Sequence, residues 1–283
     1  MAGIPIETFP TMQPTRYPEV NAILREFSAR LSAILGNEIV GIYLHGSLAI
    51  GDFDETHSDV DFIVVINDEL TAAQVAEVEK MHAGILALPS RFAKRLEGSY
   101  FPKALLNKTE TVGAKALWFP NRGTGTMSQA LHDNSWMVLW ELHNCGIVVG
   151  GPDSKSLFGP VPAATLRRAA LSEMEAWRNT LVSNPGSISC IWNQSFVVLT
   201  YCRMLNTLES GAIHSKLASV RWSESALPER WHALIRRALP GSKDLDGAAL
   251  QPAEASEVIE TLAFTAFAVG KGDNLEFESA DRS

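Results

Sequence analysis

LHGSLAIGDFDETHSDVDFIVV, residues 44–65, is the stretch that decides the reading of this chain. An apolar run rich in β-formers, Glu38 to His45, ends at Gly46-Ser47. A polar segment follows, and then Val60 to Ile66 reads as a second strand, apolar enough to be buried on both faces. Asp59 and Asp61 stand one residue apart at the head of that strand. Side chains at i and i+2 of a strand point to the same face, so the sequence sets two carboxylates side by side. Such a pair repels itself unless a cation lies between its members. Mg²⁺ prefers a few carboxylate oxygens plus substrate phosphate oxygens, which makes the pair a metal platform. Gly46 permits close backbone approach to a phosphate, Ser47 offers a hydroxyl and an amide, and Ser58 beside Asp59 offers a second hydroxyl.

Working outward, a third acid is needed. RLEGSYFP, residues 95–102, reads as a third strand, and Glu97 is the acid in an otherwise apolar and aromatic run. In a mixed sheet Glu97 can lie beside the aspartate pair. There it can share a metal or take the proton of an attacking hydroxyl. Transfer of a phosphoryl-type group is mostly positioning and charge neutralisation, so acids, metal and a few cations suffice. His45, inside the strand before Gly46, reads as a satisfied strand-end residue rather than an acid or base.

The periodicity predicts a helix over 18–35, closed by Gly36-Asn37, and another over 70–88. Residues 103–133 give no clear pattern beyond a loop at NRGTGT, residues 121–126. A helix over 135–145 precedes the short apolar run GIVVGG. GGPDSKSLFGPVP, residues 150–162, with its three prolines, marks a domain junction. Beyond it the pattern is helical, near 163–183, 191–209, 213–220, 228–239 and 253–270. The expected architecture is α+β: an N-terminal mixed sheet with flanking helices over 1–157, then an all-α domain over 158–283. The tryptophans at 136, 140 and 192 fall at helical spacings and read as packing residues.

Composition bounds the rest. The chain has 283 residues, 46% of them hydrophobic and 20% charged, enough for a sizeable core. A formal net charge of −8 disfavours nucleic acid as a partner. Three scattered cysteines, Cys145, Cys190 and Cys202, form neither a disulfide framework nor a zinc ribbon. The first twenty residues carry no apolar signal core, and no segment reaches the roughly 18 apolar residues that span a bilayer. The expectation is a cytoplasmic monomer with no membrane partner. There is no G-x-S-x-G elbow, H-E-x-x-H, Walker A loop or G-x-G-x-x-G after a strand.

These residues resemble the DNA polymerase β-like nucleotidyltransferases, whose signature is Gly-Ser followed by an Asp-x-Asp strand. Within them the chain is similar to the aminoglycoside 3″/9-adenylyltransferases, over roughly residues 18–240. The similarity runs through LHGS…HSDVD, RLEGSYFP, GIVVGGPDSKSLFGPVP, FVVLTYCRMLNTLESGAIHSK (196–216) and LPERW (227–231). It implies ATP and Mg²⁺ as cofactors, a polymerase β-like N-terminal domain, and a small hydroxylated acceptor. It further implies that Asp59, Asp61 and Glu97 bind metal, with Glu97 as general base. Ser47, Ser58, Arg203 and Lys216 would meet the triphosphate. Trp231 stands where the family has a tyrosine near the adenine. The streptomycin-modifying members have a tryptophan and an aspartate ahead of the VVLT helix. Here SNPGSISCIWNQS, residues 183–195, has no aspartate, and Asn193-Gln194 replace an acidic pair. That departure argues against streptomycin and leaves spectinomycin, or an acceptor unrelated to antibiotics, open. The second reading is a transferase of the same fold that modifies another small molecule or a protein.

Overall fold

The computed structural model describes residues 13–280 except 116, 122, 132 and 243–249, with backbone only over 275–280. Pro5 and Pro10 of the N-terminal lead-in and the last three residues lie outside those described. The chain divides into two compact units, Met1–Val161 and Pro162–Ser283.

The first unit is built on a six-stranded mixed sheet. Its strands are β1 (Ile39–Leu44), β2 (Val60–Ile66), β3 (Leu96–Pro102), β4 (Leu117–Pro120), β5 (Met127–Ala130) and β6 (Ile147–Gly150). Their order is β5-β4-β3-β2-β1-β6. The pair β2–β3 is parallel, and the other pairs are antiparallel. Helices α1 (Pro18–Leu35) and α3 (Ala72–Leu86) cover one face. α1 starts with proline in its first turn, which costs no hydrogen bond there, and ends at Gly36. α3 starts at a capping box, Thr71 with Gln74. Val20, Leu24, Phe27 and Leu31 of α1 and Val78, Met81 and Ile85 of α3 pack on Ile42, Leu44, Val60, Phe62, Val64 and Ile66. The parallel register requires a crossover connection, and α3 supplies it. The other face carries α2 (Gly46–Ile50), α4 (Trp136–Cys145) and α5 (Ser154–Leu157).

The second unit is helical: α6 (Ala163–Ser183), α7 (Ile191–Ser210), α8 (Lys216–Ala226), α9 (His232–Gly241) and α10 (Ala255–Ala280). α7 is central, packing against α6, α8, α9 and α10. Among the described residues no helix is long and apolar enough to cross a membrane.

Two sequence expectations are corrected, and one unassigned stretch is resolved. β2 begins at Val60, so Asp59 lies just before the strand. The ladder explains this: Val60 pairs with Leu96, and the residues before Leu96 form a 3-10 turn, Arg91–Arg95, leaving Asp59 no strand partner on that side. α8 starts at Lys216 rather than near 213, because the Ser215 side chain caps it by accepting the Ala218 N–H. The unassigned stretch 103–133 contains the β4–β5 hairpin that closes one sheet edge.

Candidate active site

The acids gather at the N-terminal end of β2 and β3, on the sheet face away from α1 and α3. Asp61 is the direct register partner of Glu97 across the parallel ladder. Neighbouring strands lie about 4.8 Å apart, so these two carboxylates are adjacent on one face. Ser99, two residues on, shares that face; its hydroxyl donates to the buried Asp133 carboxylate.

Gly46 presses against Asp61. Its φ is +62°, and a Cβ at that position would stand 2.1 Å from Asp61 Oδ2. Both facts demand glycine. The backbone N–H of His45 donates to the Asp61 carbonyl at 3.1 Å, tying the end of β1 to β2. Asp59 and Ser58 are half-buried at the mouth of this cluster. The Ser58 hydroxyl accepts the Asp54 N–H at 3.0 Å, a bond that uses its oxygen and not its hydrogen. The Ser58 N–H donates to the Asp54 carbonyl, which closes the 54–58 turn.

Two further acids, not among the sequence candidates, enter this site. Glu141, on α4, is 5% exposed. Its Oε2 accepts the Gly46 N–H at 2.9 Å and stands 3.5 Å from His45 Nδ1. Asp133, in the turn before α4, is 6% exposed. A lone acid inside an apolar helix, WMVLWELHNC, was the available signal for Glu141, because an acid there must be paired if it is buried. Asp133 carried no comparable signal.

The electrostatics follow from this crowding. Burial, then the charges of Asp59, Glu97 and Glu141, push the Asp61 carboxyl up to about 7, against the opposing pull of His45. Burial pulls the His45 ring down. The hydrogen bond to Glu141 and the charges of Asp61, Asp133 and Glu141 outweigh it and hold the ring at about 9. His45 is therefore an imidazolium at neutral pH, and its Nε2 has no hydrogen-bond partner. The expectation of a fully satisfied strand-end histidine is corrected: one nitrogen is paired and the other is not.

Among the described residues no three acidic, histidine or cysteine side chains form a complete metal cage. The donor set is nonetheless hard and anionic, and Asp61 carries an excess of neighbouring negative charge. That suits a divalent ion of the Mg²⁺ type, which takes one or two carboxylates and completes its shell with water and substrate phosphate.

The other expected residues lie in the second unit. Arg203 is half-buried on α7, and its Nε donates to the His214 carbonyl at 3.1 Å. This holds the turn from which α8 and the exposed Lys216 begin. Trp231 is 7% exposed and packs on Phe264 and Phe267, with the Arg230 guanidinium over its ring. The ring is thus largely buried against two aromatic side chains. Gln194 is buried and donates to the Ile188 carbonyl, and Asn193 donates to the Ser187 carbonyl. Both amides brace the turn ahead of α7.

Comparison with known proteins agrees with this layout. Residues 23–110 match the nucleotidyltransferase domain model. Residues 156–265 match the model described as aminoglycoside adenylyltransferase, C-terminal domain. A spectinomycin 9-adenylyltransferase of Campylobacter jejuni is 28% identical over 221 residues, covering 72% of this chain and 78% of that protein. One from Staphylococcus aureus is 27% identical over 222 residues, covering 74% and 79%. A spectinomycin adenyltransferase of Enterococcus faecialis, solved with ATP and spectinomycin, superimposes with a TM-score of 0.66 at 16% identity. It covers 88% of this chain and 98% of its own. At that identity the superposition speaks for the fold. The two domain models follow one another along the chain in the order of its two units, and the chain belongs to the polymerase β-like nucleotidyltransferases whose C-terminal domain is of the aminoglycoside adenylyltransferase type.

Proposed function

We propose that this enzyme moves AMP from ATP to a hydroxyl of a small aminocyclitol acceptor, spectinomycin before streptomycin, and releases pyrophosphate. The observation that carries the reading is the pairing of Asp61 with Glu97 across β2–β3, with Gly46 against Asp61. The spectinomycin 9-adenylyltransferases that align over most of the chain support the acceptor class.

In this mechanism Asp59 and Asp61, with Glu97 as the third acid, would hold a divalent ion at the reacting phosphate end of ATP. That ion, when bound, neutralises charge on the phosphates and on the carboxylates. Glu97 takes the proton of the acceptor hydroxyl. The acceptor oxygen forms a bond to the α-phosphorus, the bond from that phosphorus to the bridging oxygen breaks, and the electron pair leaves with pyrophosphate. Gly46, Ser47 and Ser58 line the phosphate side. The family resemblance implies Arg203 and Lys216 as further cations for the triphosphate. Streptomycin is disfavoured because the first turn of α7 offers amides, Asn193 and Gln194, committed to the carbonyls of Ser187 and Ile188. A cationic antibiotic gains little from them.

The test is incubation of the purified protein with Mg-ATP and, separately, spectinomycin, streptomycin and other aminocyclitols. Mass spectrometry then reads the acceptor. Spectinomycin carrying one added AMP, absent with an Asp59→Asn, Asp61→Asn double variant, is the expected result. AMP on streptomycin alone would reverse the specificity argument. Metal-dependent ATP binding without any modified aminocyclitol would move the acceptor to another small molecule or a protein.

A further inference from the structure

Glu141 lies 95 residues along the chain from Gly46, yet its carboxylate makes a 2.9 Å hydrogen bond to the Gly46 backbone. The helix that carries Glu141 is anchored at both ends. α4 is capped by Ser135, whose side chain accepts the Val138 N–H. The turn before it is pinned by Asn134, which donates to the carbonyls of Thr111 and Lys115, and by the Ser99–Asp133 bond. α4 then runs into β6, which pairs with β1 at Leu44 and Ile42. The helix therefore cannot slide along the sheet without breaking a strand pair. Its one buried acid is fixed over the end of β1.

At that point Gly46 stands between two carboxylates. Glu141 holds its N–H, and Asp61 lies against its Cα. A buried carboxylate needs paired donors, and Glu141 has the Gly46 amide on the backbone side and His45 Nδ1 at 3.5 Å. Removing it would leave a buried N–H and a second ring nitrogen of His45 without this partner. The residues that would relax are the two immediately before Ser47.

We propose that Glu141 is a positioning residue for nucleotide binding: by holding the Gly46 N–H and facing His45 it fixes the Gly46–Ser47 turn at the distance from Asp61 that the triphosphate requires. This rests on reading that turn as the phosphate-binding element. Glu141 acts through the backbone of the turn, and its carboxylate is already committed to protein donors. Partners of this kind, one step removed from the bound group, typically change affinity or activity by about 10- to 100-fold when removed.

The test measures Mg-ATP binding by calorimetry, without acceptor, for the wild-type protein, Glu141→Gln and Glu141→Ala, with thermal melts of each. The glutamine keeps an oxygen to accept the Gly46 N–H. It is expected to bind ATP within about threefold of wild type, whereas alanine loses about tenfold or more. In turnover the alanine variant raises KM for ATP and leaves KM for the acceptor unchanged. Wild-type affinity in the alanine variant would overturn the proposal. So would equal losses in both variants, or a loss matched by a collapse of the melting temperature in both. Failure of the wild type to bind ATP would remove the underlying ATP reading, and it is visible before any variant is made.

Discussion

At the scale of single residues, Gly46 is the least replaceable position of the site. Alanine there meets two obstacles: a φ of +62° and a Cβ placed 2.1 Å from Asp61 Oδ2. The left-handed backbone alone costs about 1–2 kcal/mol. The clash must move the carboxylate, and a displacement of about 1 Å in a reacting site can cost on the order of a hundredfold in rate. Gly46→Ala is expected to lower kcat/KM by about that factor or more while the protein still melts cooperatively; steady-state kinetics beside a thermal melt will read it. Asp61 and His45 make a second prediction. Asp61 is raised from 3.8 to about 7 and His45 from 6.5 to about 9. Both groups bind their proton more tightly in the folded state than in the unfolded chain. Each stabilisation is complete below the unfolded value and is lost as pH rises through the folded one. The metal-free protein should therefore lose melting temperature steadily from pH 5 to pH 9. Asp61→Asn should flatten the part of that slope below about pH 8. An unchanged slope in the variant would show that Asp61 does not carry the charge strain described here.

At the scale of elements, β2 is the member on which the rest depends. Its even positions, Val60, Phe62, Val64 and Ile66, feed the core under α1 and α3, while Asp61 opens to the other face. A one-residue slip would exchange the two sets, so burial of the apolar set fixes the acid. Phe62 is fully buried, 4.8 Å from the Phe27 ring and flanked by His82 and Tyr100. The partner strand fits as closely: a Cβ on Gly98 would stand 1.9 Å from the Phe62 carbonyl oxygen. Phe62→Ala is expected to cost about 3–5 kcal/mol of stability, measured by urea unfolding at constant m. His82 belongs to the same packing: burial lowers its ring to about 3, so it is neutral, and it bonds the Tyr100 hydroxyl at 2.7 Å. It is a core histidine with no part in the chemistry.

At the scale of the whole molecule, the question is whether the second unit takes part in nucleotide binding. Lys216 gives the cleanest answer, because it is exposed at the start of α8 and its removal should leave the unit folded. Lys216→Ala is expected to raise KM for ATP about tenfold, the equivalent of about 1.4 kcal/mol, with melting temperature and acceptor KM unchanged. A variant indistinguishable from wild type would confine ATP recognition to the first unit. Arg203 is a poorer probe, since its bond to the His214 carbonyl also holds the turn in place.

Much of this was legible in the sequence, for a local reason. Apolar periodicity places α1, α3, α6 and α7, and a glycine followed by a polar loop and an acid-bearing strand needs no distant partner to be read. The Asp61–Glu97 adjacency required only that the second and third strands be neighbours. What the sequence could not supply were relations between remote segments. That Asp59 falls outside β2 depends on where β3 begins. That Trp231 packs inward depends on α10, more than thirty residues on. The approach of Glu141 to Gly46 exists only because β6 returns to pair with β1 and carries α4 over the site. Side-chain type and spacing determine which elements form and which faces they bury. Which acids meet is decided by strand order and register, because a carboxylate is placed by the packing of the element that carries it.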